Sequence, residues 1–240
     1  MPKLEHEHTA EAIAARIGSA DHNYIRDFIY GGIDGSVTTF AVVSGVSGAE
    51  LSTSIVLILG FANLAADGFS MAASNYLGTR AEQDDYQRLE KIEYQHIEVA
   101  PSGEREEIRQ IYHAKGFEGE ELEKAVELIT SDKDRWVKTM LTEEYGLPSE
   151  IRSPWRAAFT TFGAFVACGL VPLLPYVLGV ASSFLVSCTM TGITFFLIGS
   201  VKSRWSTASW VRSGLETLFV GALAAALAYI VGILLKGIVG

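Results

Sequence analysis

The sequence predicts an all-α integral membrane protein with five transmembrane helices and a helical cytosolic insert between the second and third. Two observations carry this prediction. Apolar residues are concentrated in two stretches, 28–77 and 155–239, which contain few charges. The segment between them, from Arg80 to Arg152, contains 19 acidic and 11 basic side chains, and hence most of the formal net charge of −9. An apolar content of 49% alone would also fit a water-soluble domain, so the prediction rests on how the apolar residues are distributed along the chain.

Five apolar segments are long enough to cross a bilayer, because a helix needs about 20 apolar residues to span the hydrocarbon layer. The alternative is five helices buried inside a soluble domain. A chain of 240 residues with a polar insert is too small to bury five helices that are apolar on all sides. The predicted spans are Phe28–Ala49, Ser54–Leu77, Trp155–Leu178, Ala181–Val201 and Leu215–Val239.

Lys and Arg in the short connections predict the orientation, because they are retained on the cytosolic side. They occur in the N-terminal arm, in the insert and after the fourth span, and not in the connections near Glu50 and Gly179. This places the arm and the insert in the cytosol and the C-terminus outside the cell (inner) membrane, with Lys236 as the one exception. No cleavable signal peptide is expected. The predicted division is an arm (1–27), spans 1 and 2 (28–79), the insert (80–153) and spans 3 to 5 (154–240).

The first two predicted spans each contain a carboxylate, Asp34 in the first and Asp67 in the second. Ionisable groups in hydrocarbon are costly, so they predict a site for an ion that offsets the cost. Met71 lies one turn after Asp67, and a thioether beside carboxylates suits a transition metal better than calcium or magnesium. Neighbouring Asn, Ser and Thr side chains could belong to the same site. Alternatively, they form hydrogen bonds that hold packed helices together.

The insert reads as four helices, Glu82–Ile97, Glu104–Lys115, Gly119–Thr130 and Ser131–Tyr145, with a turn at Pro101-Ser102-Gly103. A repeated feature is two metal-binding side chains one turn apart. Such side chains share a helix face and can hold one cation together. The alternative for each pair is a solvated helix face with compensating Lys and Arg. These residues are Glu90 with Glu93, Glu104 with Glu107, Met140 with Glu144, and Glu93 with His96, which has the Glu-x-x-His spacing of di-iron helical bundles.

The chain resembles the vacuolar iron transporter family, also called the yeast calcium cross-complementer family, which includes prokaryotic members. The resemblance covers nearly the whole chain. The segments that carry it are Tyr30-Gly31-Gly32-Ile33-Asp34-Gly35, Ala66-Asp67-Gly68-Phe69-Ser70-Met71-Ala72-Ala73, and in the insert 111–117 (IYHAKGF) and 136–147 (WVKTMLTEEYGL).

The resemblance implies a homodimer in the lipid bilayer with five spans per protomer. It would be a transporter and not an enzyme, exporting cytosolic Fe²⁺, and often Mn²⁺, in exchange for protons. These ions would be transported and regulatory, with no fixed cofactor. Asp34 and Met71 would line the pathway between protomers, and Asp67 joins them by its position. The resemblance places metal binding in the insert on Glu90, Glu93, Glu104, Glu107, Met140 and Glu144. The Glu-x-x-His spacing, and not the resemblance, adds His96 as a further candidate ligand.

The chain departs from the family pattern after the second-span motif, where many relatives have Gly-Glu-Tyr and this chain has Ser74-Asn75-Tyr76. A carboxylate is therefore missing there. Some relatives also have two adjacent methionines where this chain has Met140-Leu141.

Two other functions fit part of the sequence. A membrane-tethered ferritin-like iron oxidase needs two Glu-x-x-His motifs, and only Glu93-x-x-His96 is present. A metal sensor would need a partner, and no signalling or nucleic-acid-binding motif appears. His6 and His8 offer further nitrogen donors but lie in a short polar arm, and a solvated tail is the favoured interpretation.

Overall fold

The computed structural model describes residues 9–16, 24–148 and 151–239, and His6 and His8 lie outside these ranges. The regular elements within the described ranges are all helical. They are α1 (Ala10–Arg16), α2 (Ile25–Gly48), α3 (Thr53–Val99), α4 (Pro101–Ala114), α5 (Gly119–Thr130), α6 (Lys133–Glu143), α7 (Pro154–Gly169), α8 (Leu174–Val177), α9 (Ser183–Lys202) and α10 (Trp210–Val239), with short 3₁₀ turns at Val171–Leu173 and Ser203–Trp205.

The chain forms two compact units. One contains the described residues 78–148 and 151–153 together with α1, and the segment 78–153 is called the insert below. The other, called the membrane unit, contains the described residues 24–77 and 154–239. Helix α3 contributes residues to both units and is continuous over its 47 residues.

Four helical stretches of the described chain are long and apolar enough to cross a membrane: Thr53–Val99, Pro154–Val177, Ser183–Trp205 and Trp210–Ile238. They correspond to the second to fifth predicted spans. Helix α2 has 24 residues, a sufficient length, but Asp27, Asp34 and many Gly, Ser and Thr residues make it less apolar than the other four. Its crossing of the membrane stays a prediction.

Helix α2 packs closely against α7 and α10. A Cβ atom added at Gly31 would lie 2.4 Å from the carbonyl oxygen of Thr161, and one at Gly35 would lie 2.2 Å from that of Phe165. Glycine at these two positions therefore lets the backbones of α2 and α7 touch, as small residues do in packed membrane helices. This packing buries one face of a polar helix against protein.

The predicted third span, Trp155–Leu178, is interrupted. Helix α7 ends at Gly169, and a 3₁₀ turn at Val171–Leu173 leads into the short helix α8. Pro172 and Pro175 lie in this region, and proline has no N–H to donate to the preceding turn. The stretch Pro154–Val177 remains long and apolar enough to cross a membrane, with the 3₁₀ turn inside it.

The insert consists of the end of α3 with α4, α5 and α6, in agreement with the four predicted helices to within a few residues. The predicted turn at Pro101-Ser102-Gly103 is wrong, because α4 begins at Pro101. Proline fits the first helical position, where no N–H is needed. The insert has its own core, formed by Ile97, Ile108, Leu122, Val126, Ile129, Trp136, Val137, Met140 and Leu141.

Candidate metal centre

Three predicted ligands meet where α3 ends and α4 begins. Glu93 and His96 lie one turn apart on α3, and Glu104 lies at the start of α4. Only Ala100 separates the two helices, so the chain reverses sharply and brings Glu104 beside Glu93 and His96. One ligand atom from each of these side chains lies within 4.8 Å of the other two. These three residues are called the insert cluster.

The two carboxylates of the insert cluster are buried, with Glu93 1% and Glu104 5% exposed. Oε2 of each is buried without a hydrogen-bond partner. The His96 side chain is 52% exposed, and its Nδ1 lies 3.4 Å from Oε1 of Glu104 and 3.8 Å from Oε1 of Glu93. A buried carboxylate oxygen without a hydrogen-bond partner is costly, and a bound cation would offset that cost.

The electrostatics of the insert cluster disfavour two negative charges in the absence of a cation. Burial, followed by the charges of Glu107 and Glu93, raises the pKa of Glu104 from its ordinary value of 4.5 to about 7. The nearby His96 opposes this rise. A bound divalent cation would favour the ionised carboxylates, because metal ligands must be deprotonated.

Glu107 and Glu144 lie at the edge of the insert cluster. Both are exposed residues. The pKa of Glu144 is raised by burial of its carboxyl group, then by the charges of Glu107 and Glu93. The carboxylates at the start of α4, at the end of α3 and just after α6 are therefore close enough for their charges to interact, and they form one acidic region.

Tyr145 is a contact that the sequence reasoning missed. Its hydroxyl donates a hydrogen bond of 2.9 Å to Oε1 of Glu93. Burial and this hydrogen bond raise the pKa of the Tyr145 phenol. Tyr145 directly follows the predicted ligand Glu144, within the segment 136–147 that carries the family resemblance. This position next to a predicted ligand is the one sequence feature that could have pointed to Tyr145. Tyr145 binds Oε1 of Glu93, the oxygen that lies 3.8 Å from Nδ1 of His96, and Oε2 is buried without a hydrogen-bond partner.

Besides Glu107 and Glu144 at its edge, two more predicted ligands of the insert lie outside the insert cluster. Glu90 is half-buried one turn before Glu93, and its charge acts on the phenols of Tyr86 and Tyr94. Met140 is fully buried in the insert core, and Leu141 beside it is 1% exposed. The structure thus places the Met140 thioether among apolar side chains.

In the membrane unit, Asp34 is half-buried on α2 and Asp67 is exposed on α3. The two carboxylates lie close enough for their charges to interact. Met71 is half-buried and packs against the core of this unit. The pathway residues predicted from sequence therefore differ in burial within one chain.

The amides on α3 bind neighbouring helices. Asn63 donates to the hydroxyls of Thr38 at 3.2 Å and Thr39 at 3.4 Å. The Thr38 hydroxyl donates to the backbone carbonyl of Asp34 at 2.9 Å. For Asn63 and Thr38, the interpretation as hydrogen bonds between packed helices fits the structure.

Asn75, where many relatives have glutamate, connects α3 to α2 and α7. Its Nδ2 lies 2.7 Å from the Thr161 hydroxyl, 2.9 Å from Oδ1 of Asp27 and 3.4 Å from the Ala157 carbonyl. Asp27 is 4% exposed, and sequence reasoning did not single it out. An amide can donate to a carboxylate where a second carboxylate would repel it, so Asn75 fits beside Asp27.

Comparison with known proteins identifies the family of the chain. The VIT family matches residues 25–233 of the chain. Vacuolar iron transporter 1 of Arabidopsis thaliana is 36% identical over 210 residues, which cover 85% of this chain and 83% of the relative. The vacuolar iron transporter of Toxoplasma gondii is 33% identical, covering 91% and 76%. That of Plasmodium falciparum is 30% identical, covering 90% and 84%. The chain therefore belongs to the VIT family.

Proposed function

We propose that this protein exports Fe²⁺, and also Mn²⁺, from the cytosol in exchange for protons. In this proposal it is a homodimer in the cell (inner) membrane, with α2 and the four apolar helical stretches giving five spans per protomer. The insert and the N-terminus face the cytosol. Membership of a family whose relatives are named vacuolar iron transporters supports the substrate and the transport.

The observation that carries the proposal is the buried pair of carboxylates in the insert cluster, each of which has one oxygen, Oε2, without a hydrogen-bond partner. Among the described residues, Glu93, His96 and Glu104 are the group of three or more acidic, His or Cys side chains close enough to hold one ion. A purely structural cluster of this kind would be destabilised by repulsion and by lost hydration. We assign it the capture of metal from the cytosol.

Asp34, Asp67 and Met71 are the proposed pathway. Carboxylates in a low-dielectric setting bind protons or metal in competition, so proton binding releases metal and metal binding expels protons. This competition is the chemistry that an antiporter requires. The exposed position of Asp67 supports the proposed dimer, because a second protomer would remove this carboxylate from contact with lipid.

The proposal predicts metal flux driven by a proton gradient. The purified protein would be reconstituted into liposomes, and Fe²⁺ and Mn²⁺ uptake would be followed with a fluorescent metal indicator, with and without an imposed pH difference. We expect the gradient to accelerate uptake. Asp34→Asn should reduce uptake to the level of protein-free liposomes, because an amide cannot exchange a proton for a metal ion.

Glu216→Gln is the matched control, since Glu216 is an exposed carboxylate of α10 that pairs with Arg212 at 3.2 Å. It should leave the flux unchanged. Flux of neither metal in the unsubstituted protein, with metal still bound in the insert, would reject transport and favour the sensor. Uptake that ignores the pH difference would reject proton exchange alone.

The alternative of a ferritin-like oxidase has less support. Such sites use two Glu-x-x-His motifs to hold two metal ions. The second histidine of the insert, His113, is exposed on α4. Among the described residues, the insert cluster does not include it.

A further inference from the structure

The insert cluster contains one nitrogen donor among oxygen donors. His96 faces both buried carboxylates with Nδ1, at 3.4 and 3.8 Å. Nδ1 can bind a cation when the ring proton is on Nε2. The three ligand atoms are already close together, within 4.8 Å, so a cation between them would require small side-chain movements.

The burial of the three ligands is unequal. Glu93 and Glu104 are nearly inaccessible, whereas the His96 side chain is half exposed. Tyr145 also restricts Glu93, because it binds Oε1. The insert cluster is thus open to water on the side of His96, and an ion from solution would enter beside the imidazole.

The imidazole changes which ions the insert cluster prefers. Carboxylates alone suit Mg²⁺, Ca²⁺ and Mn²⁺, whereas imidazole suits Fe²⁺ and the later transition metals. A capture site made only of carboxylates would therefore be open to competition from Mg²⁺ and Ca²⁺. A nitrogen donor at the entrance discriminates against both ions.

We propose that His96 is a metal ligand and the residue by which the insert distinguishes Fe²⁺-like transition-metal ions from Mg²⁺ and Ca²⁺. The inference rests on the proposed function in taking the insert cluster as the capture site. Glu93 and Glu104 supply charge, and His96 supplies selectivity.

The test compares metal binding by the full-length protein in detergent. Co²⁺ is the probe for a transition metal, because it resists oxidation and has a visible absorption band that responds to its ligands. Ca²⁺ and Mg²⁺ are titrated in competition with it. The variants are His96→Ala, which removes the ligand, His96→Asp, which replaces nitrogen with oxygen, and His113→Ala, the matched control on α4.

We expect His96→Asp to lower the preference for Co²⁺ over Ca²⁺ by at least about tenfold, the smaller of the losses seen when even an outer contact of a metal ligand is removed. The Co²⁺ absorption band should shift in both His96 variants and not in His113→Ala. Electron paramagnetic resonance of bound Mn²⁺ gives a second readout, since coupling to a ring nitrogen should disappear with His96.

An unchanged preference in His96→Asp, or an equal loss of affinity for Co²⁺ and Ca²⁺, would overturn the assignment to His96. The proposed function would then stand, provided that the unsubstituted protein binds Co²⁺ and transports Fe²⁺. Absence of Co²⁺ binding in the unsubstituted protein is a different failure, because it would remove the capture site itself.

Discussion

In the insert, two carboxylates from adjacent helices are more than nine-tenths buried within a single chain, whereas in the membrane unit Asp67 stays exposed on α3. The first arrangement depends on a short connection, since one residue links α3 to α4. In the second, α2 packs against α7 through Gly31 and Gly35, and Asp67 on α3 is left exposed. A single chain thus forms the proposed capture site. The proposed pathway would be enclosed only when a second protomer covers Asp67.

The difference between the insert and the membrane unit can be tested by substitution. The largest effect is expected from the double variant Glu93→Gln/Glu104→Gln. Metal affinity of the insert should fall by at least about 10–100-fold, the loss that follows from disturbing even the outer contacts of metal ligands. Flux should fall at low metal concentration and recover at saturating metal, because Asp34 is intact. Titration calorimetry and liposome uptake measure the two quantities.

Glu121→Gln is the control for the double variant, since Glu121 is an exposed carboxylate on α5. It should change neither quantity. Loss of flux at saturating metal in the double variant would contradict the separation of capture from passage.

The membrane unit should respond to Gly35→Ala. The added Cβ would lie 2.2 Å from the Phe165 carbonyl oxygen, so α2 and α7 must separate. We expect a loss of about 1–3 kcal/mol in the free energy of unfolding, as for other overpacked sites. Gly163→Ala on α7 is the matched control, because its Cβ would meet nothing within 4 Å. Unfolding in mixed detergent and dodecyl sulfate micelles measures both, and equal stability of the two variants would contradict close α2–α7 packing.

Metal-free insert should lose stability as the pH rises. The folded-state pKa of Glu104, about 7, is above the ordinary 4.5, so its protonated form favours the folded state. This contribution is complete below pH 4.5 and is lost between pH 4.5 and 7. Arg109 lowers the pKa of Glu106 and Glu123, whose contributions change at lower pH, outside this window.

The measurement is thermal unfolding of the insert followed by Trp136 fluorescence, with Trp155, Trp205 and Trp210 replaced by Phe. Glu104→Gln should flatten the decline between pH 5 and 7, and Mn²⁺ added at pH 7.5 should restore stability. A decline that persists unchanged in Glu104→Gln would assign it to other groups.

The smallest effect is expected from Tyr145→Phe. Removing the phenol leaves Oε1 of buried Glu93 without its donor, which should cost about 1 kcal/mol of insert stability, near the lower end for an unsatisfied buried acceptor. Tyr94→Phe is the matched control, because Tyr94 donates at 2.6 Å to exposed Asp134, where water can replace the phenol. Urea unfolding compares them, and an equal loss would show that burial of Glu93 does not matter.

Much of the fold follows from the sequence, because apolar length and charge distribution act over whole helices. The 3₁₀ turn after Gly169 does not, since the apolar residues continue through Pro172 and Pro175 and give no sign of the missing N–H groups. The predicted turn at Pro101 was also wrong, because this proline begins helix α4. In both cases proline is compatible with two local structures, and the sequence pattern does not distinguish them.

The insert cluster was predictable only in part. Helical spacing places His96 beside Glu93, but it cannot tell which acid of the next helix approaches them. That choice depends on the one-residue connection at Ala100, which brings up Glu104. Spacing also cannot distinguish a ligand from a core residue, and Met140 lies in the insert core.

The half-exposed imidazole of His96 has a kinetic consequence. At a fixed rate of association, each tenfold gain in affinity lengthens the residence time of a bound ion tenfold. A transporter that captured iron in a fully enclosed cage would hold each ion too long to turn over. Water has access to the insert cluster beside His96, so ligand exchange can begin there without opening the buried carboxylates. Small chelators have the same access, and they should strip metal from the insert without unfolding it.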